Sequence, residues 1–418
     1  MSKFTEVLKN RNFFLLWLGQ IISQVGDRLG FMALIGFAYS KKAQGSPAEI
    51  FKILLFTIIP VFLIGPIAGA YVDRWDRRRT LYTCDILRMI LVLIIPIFLF
   101  HIKNLGLAYP LIFLVFCLGR FFIPAKLAIV PDLVKKEDLL LANSLVNITG
   151  MIAFIVGSGI SGLLVEWFGP EKGFYLDGIS FFISAALIFF ISVRSNASMN
   201  IIKIGGEIVE VIKKSVIQEI KEGTEYFFTQ KEIRFTAWIL FVLSSALGVV
   251  SVVSIVFVQN TLHSATKDLG LLIMFLGSGL FAGTLVYGRF GQRFSHYKII
   301  FISLFLTGGM LVLFALGLHK YPYFAPAAGL SFFLGFWVSP ILIASNTIVH
   351  KASNNEMRGK IFSSMEIVMH LGFLLFMYLS SILAERFSHV LILVIIGCVF
   401  SALGIINLIY HRRIPWLD

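Results

Sequence analysis

Apolar runs about as long as a membrane span alternate with short polar segments along almost the whole chain. Twelve such runs stand out, near 12–38, 51–72, 81–101, 107–130, 144–167, 173–194, 234–260, 269–289, 297–317, 322–348, 361–383 and 389–410. Each supplies the roughly 20 residues that a helix needs to cross a ~30 Å hydrocarbon core. Backbone polar groups in lipid must pair within their own segment, so the runs are read as helices. The longest polar stretch, Arg194 to Lys231, parts six spans from six. The expected organisation is an all-α membrane protein: a six-helix bundle over 1–194, a cytoplasmic linker over 195–233 and a second bundle over 234–418. Within the linker Val209, Ile212, Val216 and Ile220 recur at helical spacing, which predicts an amphipathic helix lying on the membrane surface.

Composition agrees with this pattern. Hydrophobic residues make up 58% of the 418 and charged residues only 14%, a balance that excludes an ordinary soluble domain. The net charge of +13 would suit a nucleic-acid partner, but its distribution argues against one. Lys and Arg outside the spans fall mostly in one alternating set of loops, which places both termini in the cytoplasm. Cys84, Cys117 and Cys398 all fall inside predicted spans and suggest neither a disulfide framework nor a metal site. The first span is too long for a signal-peptide core, so no cleavage is expected. There is no P-loop, zinc spacing or nucleophile motif, so ATP-driven transport and enzymatic activity are not expected, and no cofactor is implied.

The most specific stretch is GPIAGAYVDRWDRRR, residues 65–79. Gly69, Asp73, Arg74, Arg77 and Arg78 fall at the spacing Gly-x-x-x-Asp-Arg-x-x-Arg-Arg between the second and third spans. This resembles the signature of major facilitator superfamily transporters, with Asp76 where the general pattern has Gly. The drug and siderophore exporter branch, which includes macrolide-efflux and enterobactin-exporter proteins, often has Asp there too. WLGQIISQVGD (17–27), PAKLAIVPDLVKKEDLLLANSL (124–145), GFYLDGISFFISA (173–185) and RGKIFS (358–363) are similar to recurring segments of that branch. Lysophospholipid transporters share several of these, especially PAK at 124–126 and GD at 26–27. Weak internal symmetry supports two halves: Pro124 and Pro340 share one offset with the loops LANSL and MRGKIFSS, and Gly69 answers Gly283, with Tyr287 in place of Asp73. Parallel repeats with a site near mid-membrane are a common transporter plan.

Charges inside a bilayer are costly and mark functional candidates. Arg120 lies between Pro110 and Pro131, ~15 Å from each end of span four, and Asp27 lies midway between Arg11 and Lys41. The resemblance implies that spans one and four line the central cavity. Asp27 and Arg120 are therefore expected to pair there, either for exchange with a substrate cation or proton or as a static bridge. Arg28 points about 100° away, toward span five or the second half. Lys126 either snorkels to the inner headgroups or, in a lipid transporter, meets a phosphate. Glu366 and His370, four apart in span eleven, are candidates for a proton relay or a structural pair.

For the 73–79 cluster, the resemblance implies that Asp73 docks at the start of span eleven near Gly359, while Arg77 or Arg78 pairs with Asp132, latching the cytoplasmic side. Topological anchoring by positive charge is the other reading. Superfamily antiporters carry Gly-Pro in span five where this chain has Gly157-Ser158, which weakens a proton-antiport expectation without removing it. The function expected is proton-coupled export of hydrophobic or amphipathic small molecules across the inner (plasma) membrane, by a monomer embedded among membrane lipids. Lysophospholipid transport is the second reading, and a non-transporting receptor or scaffold the third.

Overall fold

The computed structural model describes residues 4–42, 46–72, 75–102, 104–192, 230–353 and 355–411. The predicted linker helix lies outside the described residues. After a short helix, Phe4–Lys9, the spans in chain order are α1 (Arg11–Lys42), α2 (Pro47–Val72), α3 (Arg77–Pro96), α4 (Leu105–Leu133), α5 (Leu139–Phe168), α6 (Pro170–Phe189), α7 (Lys231–Leu262), α8 (Lys267–Phe290), α9 (His296–Lys320), α10 (Phe324–Ala352), α11 (Asn355–Arg386) and α12 (His389–His411). Twelve helices among the described residues are long and apolar enough to cross a membrane, as the hydrophobic pattern predicts. The chain parts into two compact units, Met1–Phe37 with Lys52–Lys213 and Ala38–Phe51 with Lys214–Asp418.

Local chemistry sets the helix ends. Asp76 caps α3, its carboxylate accepting from the Arg79 N–H at 2.9 Å. At its other end α3 meets Pro96 and continues as a π-helical turn, Ile97–His101, so the span covers the expected length with a wider last turn. Proline disturbs the regular ladder of backbone hydrogen bonds at such a place. The α5–α6 connection is a single residue, Gly169, with φ of 86°, followed by Pro170 at the first turn of α6. Few residues besides glycine adopt that φ without strain, and proline is pre-organised for a helix start.

In the first unit, α3 packs against both α4 and α6. α1 lies on α6 through a stripe of glycines. A Cβ at Gly19 would meet Ser184, one at Gly26 would collide with Ser180 and Asp177, and one at Gly30 would collide with the Asp177 carboxylate. In the second unit α8 packs on α10, α9 on α12 and α7 on α11. Small residues again set the approach: a Cβ at Gly308 of α9 would run into the α12 backbone at Gly397 and Ser401. Such close crossings carry helix association where lipid removes the usual hydrophobic drive.

Candidate functional site: a buried charge network in the first unit

Because Gly26 turns toward α6, its neighbour Asp27 turns about 100° away from it. Asp27 Oδ1 accepts a hydrogen bond from Arg88 Nη2 of α3. Arg88 is buried, with 5% of its side chain exposed, while Asp27 retains 28%. The guanidinium lies over the Phe181 ring of α6, 4.1 Å from its centroid. One turn earlier in α3, Asp85 is fully buried, with Oδ1 3.8 Å from Arg88 Nη1. Ser184 of α6 donates to Asp85 Oδ2 at 2.6 Å. A continuous chain Asp27–Arg88–Asp85–Ser184 therefore crosses from α1 through α3 to α6. Asp177, one turn before Phe181, is 3% exposed and its Oδ1 has no hydrogen-bond partner.

The ion-pair partner of Asp27 is thus Arg88 and not the expected Arg120. Both cations are deep, but α3 presents Arg88 directly to α1. Arg120 sits beside Gly119, where an added Cβ would lie 3.7 Å from the Arg88 guanidinium. Arg120 Nε is buried and unpartnered, and its charge interacts with those of Asp27 and Arg88. Lys126 is half-buried and also within electrostatic reach of Asp27. Arg28 lies 4.7 Å from the Phe154 ring centroid in α5, the direction that its position beside Asp27 allows. Gly157 gives its stem room, since a Cβ there would touch the Arg28 side chain.

His370 and Glu366 are linked through the backbone: His370 Nδ1 lies 2.7 Å from the Glu366 carbonyl oxygen, and the Glu366 side chain is exposed. The relay between their side chains that their spacing suggested is therefore not assembled by this bond. Among the described residues there is no group of three or more His, Cys, Asp or Glu suited to a metal ion.

At the other end of α3 the basic cluster fastens three helices. Arg77 Nη1 donates to Asp132 Oδ2 at 2.7 Å and to the Ala128 carbonyl at 2.9 Å, tying α3 to the end of α4. Arg78 donates to the Phe189 carbonyl at 2.5 Å and lies over that residue's ring, tying α3 to the end of α6. Trp75 stacks on Phe121 with centroids 5.6 Å apart. Of the two arginines weighed for Asp132, Arg77 makes the pair. Asp73 and Arg74 lie outside the described residues, and only the helical backbone is described at Gly69 and Gly359. The cap gives Asp76 a physical role. Asp76→Ala is expected to cost about 1 kcal/mol and Asp76→Gly only a few tenths, since glycine is itself a tolerable cap. Thermal unfolding of the purified protein checks this order, and equal losses would remove the cap as the reason for the residue.

The architecture is that of a polytopic helical membrane protein. A peptide transporter POT superposes on the whole of this chain and 99% of its own with a TM-score of 0.72 at 13% identity, a likeness of fold. The chain matches the Transmembrane secretion effector family over residues 2–416, and it belongs to that family of major facilitator superfamily transporters. Relatives include the putative bacilysin exporter BacE of Bacillus subtilis (strain 168), 26% identical over 97% of both chains. Macrolide efflux protein A of Streptococcus pyogenes is 23% identical over 90% of this chain and 89% of its own. By their names these two relatives are an exporter and an efflux protein.

Missing from the sequence reading were Asp85, Arg88 and Asp177 as members of the site. The available signals were an Asp and an Arg three apart in one span and a polar face in another formed by Asp177, Ser180 and Ser184. That face meets the glycine face of α1.

Proposed function

We propose that this protein is a secondary active exporter of hydrophobic or amphipathic small molecules, driven by protons and working by alternating access in the inner (plasma) membrane, with both termini cytoplasmic. Two bundles, 1–194 and 234–418, would move about the 195–233 linker. The observation that carries the reading is the Asp27–Arg88 pair, a partly exposed carboxylate held by a buried guanidinium in a member of an exporter family. An intramembrane charge is retained at a cost and marks a pathway. Asp27, at 28% exposure, is the member of the pair that a proton or a cationic substrate can reach. Protonation would cancel its charge and release Arg88 toward Asp85, which already lies one turn away. That exchange of partners gives the helices two discrete arrangements, as coupling requires. Arg120 adds positive charge near Asp27.

Transport into proteoliposomes under an imposed pH gradient tests this reading. The expected result is gradient-dependent movement of members of a hydrophobic dye panel and none of labelled lysophospholipid. Movement of the lipid alone would establish the second reading, in which the Lys126 ammonium holds a phosphate. Lys126→Gln separates the two. Dye export is expected to stay within about twofold, because the side chain then serves only to reach the headgroups. Selective loss of lysophospholipid transport in this variant, with Lys126→Arg retaining part of it, would favour a lipid substrate.

A further inference from the structure

Asp177 has no role in the export reading given so far, and its surroundings are unusual. It is buried, its Oδ1 has no hydrogen-bond partner, and among the described residues no ion pair reaches it. Yet it does not lie in solid packing. Asp27 and Asp177 line the same small cavity in the first unit, with Gly30, Phe31, Val92 and Phe174 among its other walls. The cavity has room for a water molecule. The polar neighbours of Asp177 are engaged elsewhere: Arg88 with Asp27 and Asp85, Ser184 with Asp85, and Ser180 Oγ with the Asp177 backbone carbonyl at 2.7 Å.

An ionised carboxylate in that position would be a buried charge without a direct counter-ion, which is unfavourable. A neutral carboxylic acid avoids the cost and leaves a proton at the cavity wall. The charged groups that interact with it are Asp27 and Arg28 on α1 and Asp85 and Arg88 on α3. Arg28 is held over Phe154 and Arg88 is shared between two other carboxylates. The walls from α4, Ile112, Val115 and Phe116, carry no charge.

We propose that Asp177 is a second proton-binding site, which delivers its proton to Asp27 across the cavity the two carboxyl groups share. This rests on the proton-coupled reading above and adds the inner station of the path. In the transfer, the Asp177 O–H bond breaks and the proton passes, directly or through one water, to a carboxylate oxygen of Asp27, where the new O–H bond forms. Asp177 is left ionised and Asp27 neutral, so the charge of the cluster is unchanged. Arg88, released from Asp27, then turns its attraction to Asp85 and Asp177. Gly26 and Gly30 let Asp177 of α6 sit close against α1.

The test uses the full-length protein and two readouts. Infrared spectroscopy of purified wild type is expected to show a protonated carboxylic acid band at neutral pH, lost in Asp177→Asn and in Asp177→Ser and retained in Asp27→Asn. The second substitution serves if the first fails to fold. In proteoliposomes, using the panel dye that wild type carries fastest, Asp177→Asn is expected to lower gradient-driven transport about 100-fold. Its downhill dye movement should remain. A band that persists in both Asp177 variants overturns the proposal whatever transport does. Loss of the band with unaltered gradient-driven transport also overturns it, because Asp177 would then hold a proton without passing it on. If Asp27→Asn alone loses coupling, the relay is wrong and the Asp27 reading stands. If Asp27→Asn keeps full coupling, Asp27 is not the acceptor, and both readings fail.

Discussion

Arg88→Ala is expected to be among the most damaging single substitutions in the first unit, with a loss of about 3–5 kcal/mol. The guanidinium is nearly enclosed and serves Asp27 on one side and Asp85 on the other. Its removal leaves two carboxylates without their cation and a hole under the Phe181 ring. Asp27→Asn should be far milder, since Arg88 keeps Asp85 and an amide occupies the same space. The double variant should recover part of the loss, by about 0.5–3 kcal/mol relative to additivity. Arg88→Lys should not restore wild-type stability, because a point-charge ammonium cannot serve two carboxylates and an aromatic face with the geometry of a planar fork. Thermal unfolding of purified variants in detergent reads all four. An Arg88→Ala protein as stable as wild type would show that the network contributes nothing to the bundle.

Gly308→Leu and Gly309→Leu are expected to behave in opposite ways although the residues are neighbours. A Cβ at Gly308 would fall on backbone atoms of α12, at Gly397 and Ser401, which have no rotamer by which to withdraw. α9 and α12 would have to separate along their crossing. The cost should be about 3 kcal/mol, at the upper end of ordinary overpacking penalties. A Cβ at Gly309 meets no heavy atom within 4 Å, so the same side chain there should be nearly silent. Yield of monodisperse protein and its unfolding temperature check the pair. Equal damage at both positions would contradict the packing described for the second unit.

Much of the fold is legible in the sequence because a lipid environment leaves few choices. Long apolar runs must be helices, and the predicted spans agree with those observed to within a few residues at most ends. α11 is an exception, starting at Asn355 where hydropathy alone placed it near 361. The polar stretch NEMRGK is helical although it is not apolar, and the hydrophobic criterion could not see it. The signature loop was legible in its spacing, and its departure at Asp76 now has a cause in the helix cap. Arg77 or Arg78 was expected to pair with Asp132, and Arg77 makes the pair, joining the start of α3 to the end of α4.

The charge network was harder to read. Depth along a span can be counted from its ends, and both Arg88 and Arg120 are deep. Which of them faces Asp27 depends on the rotation of α3 and α4 about their axes, set by packing at Gly119, Phe181 and the α1 glycines. Hydropathy carries no information about that rotation. Asp177 was hidden for a similar reason: the polar face it forms with Ser180 and Ser184 takes on meaning only when Gly26 and Gly30 are found against it. The spacing of Glu366 and His370 did place them on one helical face, but the bond that forms uses a main-chain oxygen.

Proton-driven export through Asp27 is tested by comparing, in the same proteoliposomes, pH-gradient-driven accumulation and downhill movement of one transported dye by wild type and Asp27→Asn. Wild type should accumulate dye against its gradient and stop when the pH gradient is collapsed. Asp27→Asn should lose that accumulation while still moving dye downhill. Full accumulation by Asp27→Asn, with the same dependence on the pH gradient as wild type, would contradict it.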